Sequence, residues 1–229
     1  MTNLVLFDID GTLINARGAG SQALHKTILS CHGVNVPIQD MKLDGKTDPL
    51  IVHEALRLAG ENHSPEGILT KTFLNTYEGY LGKELENCPH YRVLPGVVDL
   101  LDCLCQENDF LVGLATGNVF IGAHLKLDKG HLMHYFCFGG YGCDNKSRTK
   151  IVLQAIKRGR DILDNQFSGR VIVIGDTPHD IQHGHAAGVR TVGVCSGNFN
   201  LKQLRTCKPD ALFESLVKTK EIVQALRTI

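Results

Sequence analysis

Four apolar residues, Leu4-Val5-Leu6-Phe7, run directly into Asp8-Ile9-Asp10-Gly11-Thr12-Leu13, and this stretch limits the possible folds more than any other. A short apolar run stopped by a turn signal reads as a strand buried on both faces, which requires helices packed against each side of a sheet. Carboxylates at the exit of such a strand lie at the carboxyl edge of the sheet, where open α/β folds bind ligands. Two acids one residue apart repel each other and lose hydration there, so they call for a compensating partner.

The pattern recurs along the chain. Phe110-Leu111-Val112-Gly113-Leu114-Ala115 ends in Thr116-Gly117-Asn118, and the β-branched run Val171-Ile172-Val173-Ile174 ends in Gly175-Asp176-Thr177-Pro178-His179-Asp180. Tyr135-Phe136-Cys137-Phe138 reads as a short strand, and Thr191-Val192-Gly193-Val194 and Ala211-Leu212-Phe213 as later ones. Amphipathic helical stretches separate them, one around Val97, Leu100, Leu101 and Leu104, another around Ile151, Val152, Ala155 and Ile156, and a closing one from about Ser215. Strands alternating with helices predict an α/β fold, a Rossmann-like, mostly parallel sheet with helices on both faces.

From about residue 15 to about residue 90 the chain offers no convincing strand. Helices are expected from Ser21 as cap to about Cys31, from Asp48-Pro49 to Gly60, and from Ser64-Pro65 onward through Ile68, Leu69, Phe73, Leu74, Tyr77 and Leu81. Such a stretch is far longer than a βα connection, which takes roughly 2 to 6 residues outside its helix. Residues 15–90 are therefore expected to form an inserted α-helical subdomain, with 1–14 and 91–229 as the α/β core.

A chain of 229 residues can bury an ample core with such an insertion. Its 24 Lys and Arg balance 24 Asp and Glu, so no global field draws it to nucleic acid or to a membrane surface, and the partner is expected to be a small molecule. No run approaches the roughly 20 apolar residues of a membrane span, and no basic-then-apolar leader precedes the first strand. A cytoplasmic enzyme is expected, with the oligomeric state left open. The eight cysteines are scattered, several in apolar runs, and read as reduced, mostly buried thiols, with Cys103 and Cys105 on a core helix.

Three strand exits thus gather Asp8 and Asp10, Thr116 and Asn118, and Asp176 and Asp180 at one edge. Converging carboxylates with oxygen-only ligation point to a hard divalent cation, Mg²⁺, and the cation in turn suits an anionic substrate. An aspartate is ionised at neutral pH and attacks phosphorus without a base to activate it, while a neighbouring acid handles the proton. Thr116 and nearby backbone amides can hold phosphoryl oxygens, and a Lys or Arg can offset transition-state charge.

These pieces, in this order and at these strand ends, resemble the haloacid dehalogenase superfamily, specifically its Mg²⁺-dependent phosphatases of the phosphoglycolate phosphatase and β-phosphoglucomutase type. The resemblance covers nearly the whole chain. It implies that Asp8 is a nucleophile that becomes an aspartyl phosphate, and that Asp10 protonates the leaving group and then deprotonates water. It further implies that Asp8, the Asp10 carbonyl and Asp176 bind Mg²⁺ with Asp180 in support, that Thr116 binds the phosphoryl group, and that the helical insertion is a cap hinged near Gly18 and Gly20. The family's basic residue is matched by either Lys146 or Arg148, with Arg148 preferred. Gly117, Asn118, Lys46 and Thr47 are candidate substrate-binding residues, since Gly45-Lys46-Thr47-Asp48 can present amides to an anion. His179 and His183 stand one helical turn apart but read as surface histidines. The expected function is hydrolysis of a small phosphorylated metabolite. The alternatives are a phosphoglucomutase-like transfer, a phosphonate hydrolase using Lys46, and a non-catalytic binding protein on the same fold.

Overall fold

The computed structural model describes residues 2–61, 67–163 and 167–229. Its centre is a six-stranded, wholly parallel sheet in the order β5-β4-β1-β6-β7-β8, formed by Asn3–Phe7, Phe110–Ala115, Gly139–Gly140, Val171–Gly175, Arg190–Val194 and Ala211–Phe213 as β1, β4, β5, β6, β7 and β8. β1 lies between β4 and β6, with Val5 paired to Val112 on one side and to Ile172 on the other. Successive side chains of a strand face opposite ways, and here both directions are apolar. Val5, Phe7, Ile172 and Ile174 join the larger core with α4 (Val97–Gln106) and α9 (Thr219–Thr228), whereas Leu4, Leu6, Val171 and Val173 meet α6 (Arg148–Ile162) on the other face. The layered α/β architecture expected from the sequence is the one observed.

A second, two-stranded antiparallel sheet, not anticipated from the sequence, flanks the helical stretch of residues 15–90. β2 (Ile14–Asn15) pairs with β3 (Arg92–Val93), pinning together the two ends of the segment that holds α1 (Ala19–His32), α2 (Asp48–Leu58) and α3 (Lys71–Glu86). Two-residue strands carry too little periodicity to announce themselves in sequence. α1 begins after Gly18 in the left-handed region at φ 83, and Ser21 lies inside the first turn, its hydroxyl donating to the Gly18 carbonyl at 2.8 Å. α3 is capped by Thr70, whose Oγ1 accepts from the Phe73 amide at 3.1 Å. The Ser64-Pro65 start expected for it lies outside the described residues.

Two further expectations change. Phe136 and Phe138 are buried and Cys137 exposed, the alternation visible in the sequence, yet the strand itself is Gly139–Gly140, because Phe138 seats its ring over Gly113 of β4. None of the eight cysteines is fully buried. Cys31, Cys105, Cys137 and Cys143 are exposed and the other four half-buried, since the apolar runs holding them turn larger side chains inward. Among the described residues no helix is long and apolar enough to cross a membrane.

The remaining helices follow the strands. α5 (Phe120–Lys129) leaves the exit of β4, α7 (Pro178–Ala186) that of β6, and α8 (Leu201–Thr206) follows β7. Pro178 occupies the first turn of α7, and Thr177 with Asp180 closes its N-terminus as a capping box, so Asp180 is fixed beside the sheet edge.

Candidate active site

The exits of β1, β4 and β6 open into a cavity of about 600 Å³ lined by Asp8, Asp10, Thr116, Asn118, Arg148 and Asp176. Asp8 follows β1 directly, and its amide donates to the Ile174 carbonyl of β6 at 3.0 Å. The chain turns away at Gly11, with φ 85, and a Cβ there would lie 2.4 Å from Asp176 Oδ2. Only glycine permits both the turn and that close approach. Thr12 Oγ1 donates to Asp176 Oδ1 at 3.0 Å, and Ser196 Oγ to the Gly11 carbonyl at 2.7 Å.

Carboxylate oxygens of Asp8, Asp176 and Asp180 lie within 4.8 Å of one another, and all three residues are buried. Arg148, the first residue of α6, reaches this group: its guanidinium donates to Asp8 Oδ1 at 3.3 Å and to Asp180 Oδ1. Burial pushes the Asp8 carboxyl up to about 7, with Arg148 pulling it down and Asp180 and Asp10 pushing it further up. Asp176 is likewise raised by burial, then by Asp180 and Asp8. Burial works against the charge on Arg148, but Asp8 and Asp180 outweigh it and hold the guanidinium protonated. Three buried acids facing one guanidinium remain short of positive charge.

On the other side of Asp8, the Thr116 amide is anchored to the Gly140 carbonyl at 3.0 Å, and Thr116 Oγ1 accepts from Asn118 Nδ2 at 2.9 Å. Asp10 stands apart from the trio of acids, its carboxylate meeting Asn118 at 2.8 Å and Lys126 at 2.6 Å. Lys126 escaped the sequence reading, although a signal was present. It sits with Ala123 and Leu127 on the buried stripe of α5, where an isolated charge is out of place.

The helical segment supplies the facing wall. Its Lys46 and exposed Arg17 line the cavity, as does the exposed Arg92 of β3, and Lys46 is paired to Glu54. Thr47 is fully buried beside them rather than lining the cavity, its Oγ1 without a hydrogen-bond partner among the described residues. Asp48, read only as a helix cap, instead bridges to the sheet edge: its Oδ2 accepts from the Val119 amide at 2.8 Å and its amide donates to the Gly117 carbonyl at 2.9 Å. Thus Asp8, Asp10, Asp176, Asp180, Thr116, Gly117, Asn118 and Arg148 come together, whereas Lys146 stays two residues outside α6 and off the cavity wall. His179 and His183 stack on each other, and His183 Nδ1 shares a hydrogen bond with Thr149.

The model for "Haloacid dehalogenase-like hydrolase" matches residues 5–194, which spans the three strand exits. The chain belongs to this family. Among similar proteins, "Probable phosphatase IndB" from Dickeya dadantii is 25% identical over 235 residues, covering 99% of this chain and 95% of that protein. A phosphoglycolate phosphatase from Agrobacterium fabrum is 27% identical over 236 residues, 95% of each. Among solved structures, a hydrolase from Pseudomonas syringae shares the fold with a TM-score of 0.68 at 20% identity, covering 98% of both chains.

As a haloacid dehalogenase-like hydrolase the chain fits a magnesium ion by its donor set. The three acids offer only oxygen ligands, buried and close enough to share one ion, with a charge deficit that a hard divalent cation relieves.

Proposed function

We propose that this chain is a phosphoric monoester hydrolase acting on a small phosphorylated metabolite, with Asp8 as nucleophile. The observation that carries the reading is the convergence on Asp8 of Arg148 from one side and Asp176 and Asp180 from another, with Asp10 two residues on and lining the same cavity. Asp8 forms a bond to phosphorus while the leaving oxygen departs, and water then cleaves the resulting aspartyl phosphate. Asp10 gives a proton in the first step and takes one in the second. Arg148 orients the Asp8 carboxylate, and Thr116 with the amides at the β4 exit receives phosphoryl oxygens. Asp8, the Asp10 carbonyl and Asp176 would hold Mg²⁺, with Asp180 behind them, and the ion would supply charge neutralisation for the phosphoryl group. Residues 15–90 act as the cap, with its Lys46 and Arg17, and Arg92 of the adjoining β3, facing the leaving group.

Phosphate release from a panel of phosphorylated metabolites, phosphoglycolate and hexose phosphates included, tests this with and without Mg²⁺. Metal-dependent release that Asp8→Asn abolishes is the expected result. Transfer of the phosphoryl group to a sugar phosphate without net release favours a mutase, and no turnover on any member overturns the hydrolase reading.

A further inference from the structure

Of the four acids at this edge Asp10 is the most open, 43% of its side chain being exposed, yet its carboxylate is gripped by one oxygen. Lys126 Nζ donates to Oδ2 at 2.6 Å, Asn118 Nδ2 donates to the same atom at 2.8 Å, and Lys126 Nζ also donates to Asn118 Oδ1 at 2.7 Å. The three groups close a ring of charge-assisted hydrogen bonds, which is stronger and more directional than neutral contacts. Lys126 itself is 4% exposed, and a buried ammonium is costly unless its partners compensate. Space has been cleared for it: a Cβ on Gly20 of α1 would lie 3.1 Å from Lys126 Nζ, and one on Gly122 would lie 3.2 Å from the Tyr77 ring that lines the same gap.

We propose that Lys126, with Asn118, is a positioning residue that anchors Asp10 through Oδ2 and so reserves Oδ1 as the oxygen that carries the reaction's proton. This rests on the reading of Asp10 as proton carrier. Both donors occupy Oδ2, and among the described residues Oδ1 has no hydrogen bond on a side chain that lines the cavity. In the first half-reaction the bond from Asp8 to phosphorus forms, the bond to the leaving oxygen breaks, and that oxygen takes the Oδ1 proton. In the second, water bonds to phosphorus, the Asp8 bond breaks, and the water's proton goes to Oδ1. Without Lys126 the exposed carboxylate keeps only the Asn118 hydrogen bond and is held less firmly against rotation about its side-chain bonds.

The test is the leaving-group dependence of the first turnover in the Mg²⁺-loaded enzyme, comparing para-nitrophenyl phosphate with ethyl phosphate. Nitrophenolate departs without a proton, whereas ethoxide requires one. Because misplacing a reacting group by about 1 Å costs on the order of 100-fold, Lys126→Met is expected to slow ethyl phosphate about 10- to 100-fold and the nitrophenyl ester less than about 3-fold. Asp10→Asn should show the same split, the double variant should be no slower than Asp10→Asn alone, and Lys126→Arg should recover part of the loss. Equal slowing of both esters, or none on ethyl phosphate, overturns the proposal. Should Lys126→Met fail to fold, Asn118→Ala removes the other donor, and an unselective loss there overturns it equally. If Asp10→Asn itself lacks the split, or the unaltered enzyme releases no phosphate, the fault lies with the function assigned above.

Discussion

At the residue scale, the chemistry of this edge depends on side chains that are absent as much as on those present. Gly11 and Gly197 flank Asp176, and a Cβ on Gly197 would fall 1.8 Å from Asp176 Oδ2, so Gly197→Ala must push that carboxylate aside. If Asp176 is a magnesium ligand, the Mg²⁺ concentration for half-maximal activity should rise at least about tenfold, the scale on which neighbours that orient ligands act. Melting in a chelator should move little, because only the end of a flexible side chain is displaced. An unchanged Mg²⁺ requirement in a folded Gly197→Ala protein removes Asp176 from the ligand set. The acids were legible from sequence because each follows an apolar run, and Arg148 was a candidate because a cation starting a helix near that edge reaches it. Lys126 and Gly197 were not. Periodicity could place Lys126 on the buried stripe of α5, but the partners, Asp10 and Asp176, stand 116 and 21 positions away, and nothing local names a contact made across the sheet edge.

At the scale of elements, α2 is joined to the sheet by its first residue, and the join is electrostatically expensive. Burial lifts Asp48 from the ordinary 3.8 to about 6, while Lys126 and the Val119 amide pull it down and Asp10 adds to the rise. The unfolded chain releases this proton near 3.8. Above about pH 6 the ionised side chain is therefore a net cost to folding, on the order of 3 kcal/mol when each tenfold shift counts about 1.4 kcal/mol. As pH falls from 6 toward 4 the folded state takes up the proton first, and the cost disappears. Asp48→Asn keeps an oxygen for the Val119 amide and removes the charge, so it should stabilise the protein by about 1 to 3 kcal/mol at pH 7.5 and by almost nothing at pH 4. Urea unfolding of both proteins across that range checks it, and a gain that is flat with pH refutes the assignment. The helix start at Asp48-Pro49 was legible because proline in the first turn is a local signal, but the cap is Thr47 and not Asp48, which is already the first helical residue. Its second partner, the loop after β4, is 71 residues away and could not be read. α8 was missed for another reason. Its capping box, Asn200 with Gln203, precedes only six helical residues, too few for an apolar stripe.

At the scale of the whole molecule, the alternation of strands and helices specified the sheet, because it is a property of long segments, and the length of the intervening helical stretch is what suggested an insertion. How the helical segment sits against the sheet edge depends on a few close contacts, and one of them isolates cleanly. Gly45, at φ 69, turns the chain into Lys46, and a Cβ on it would lie 2.2 Å from His179 Cδ2 on α7. The adjoining Asp44 accepts from Asn198 Nδ2 at 3.2 Å, so this turn touches the start of α7 and the loop at the β7 exit. Gly45→Ala adds left-handed backbone strain of about 1 to 2 kcal/mol and also forces the turn away from His179. Gly33, at φ 71 in the same segment with nothing within 4 Å of its missing Cβ, supplies the matched control. Both alanine variants should lose stability to urea, Gly45→Ala the more, but only Gly45→Ala should lose activity, by about 10- to 100-fold in kcat/KM, because it alone shifts Lys46 and opens the cavity to water. Equal activity in the two variants would mean that seating this turn on α7 is not what closes the segment over the carboxylates.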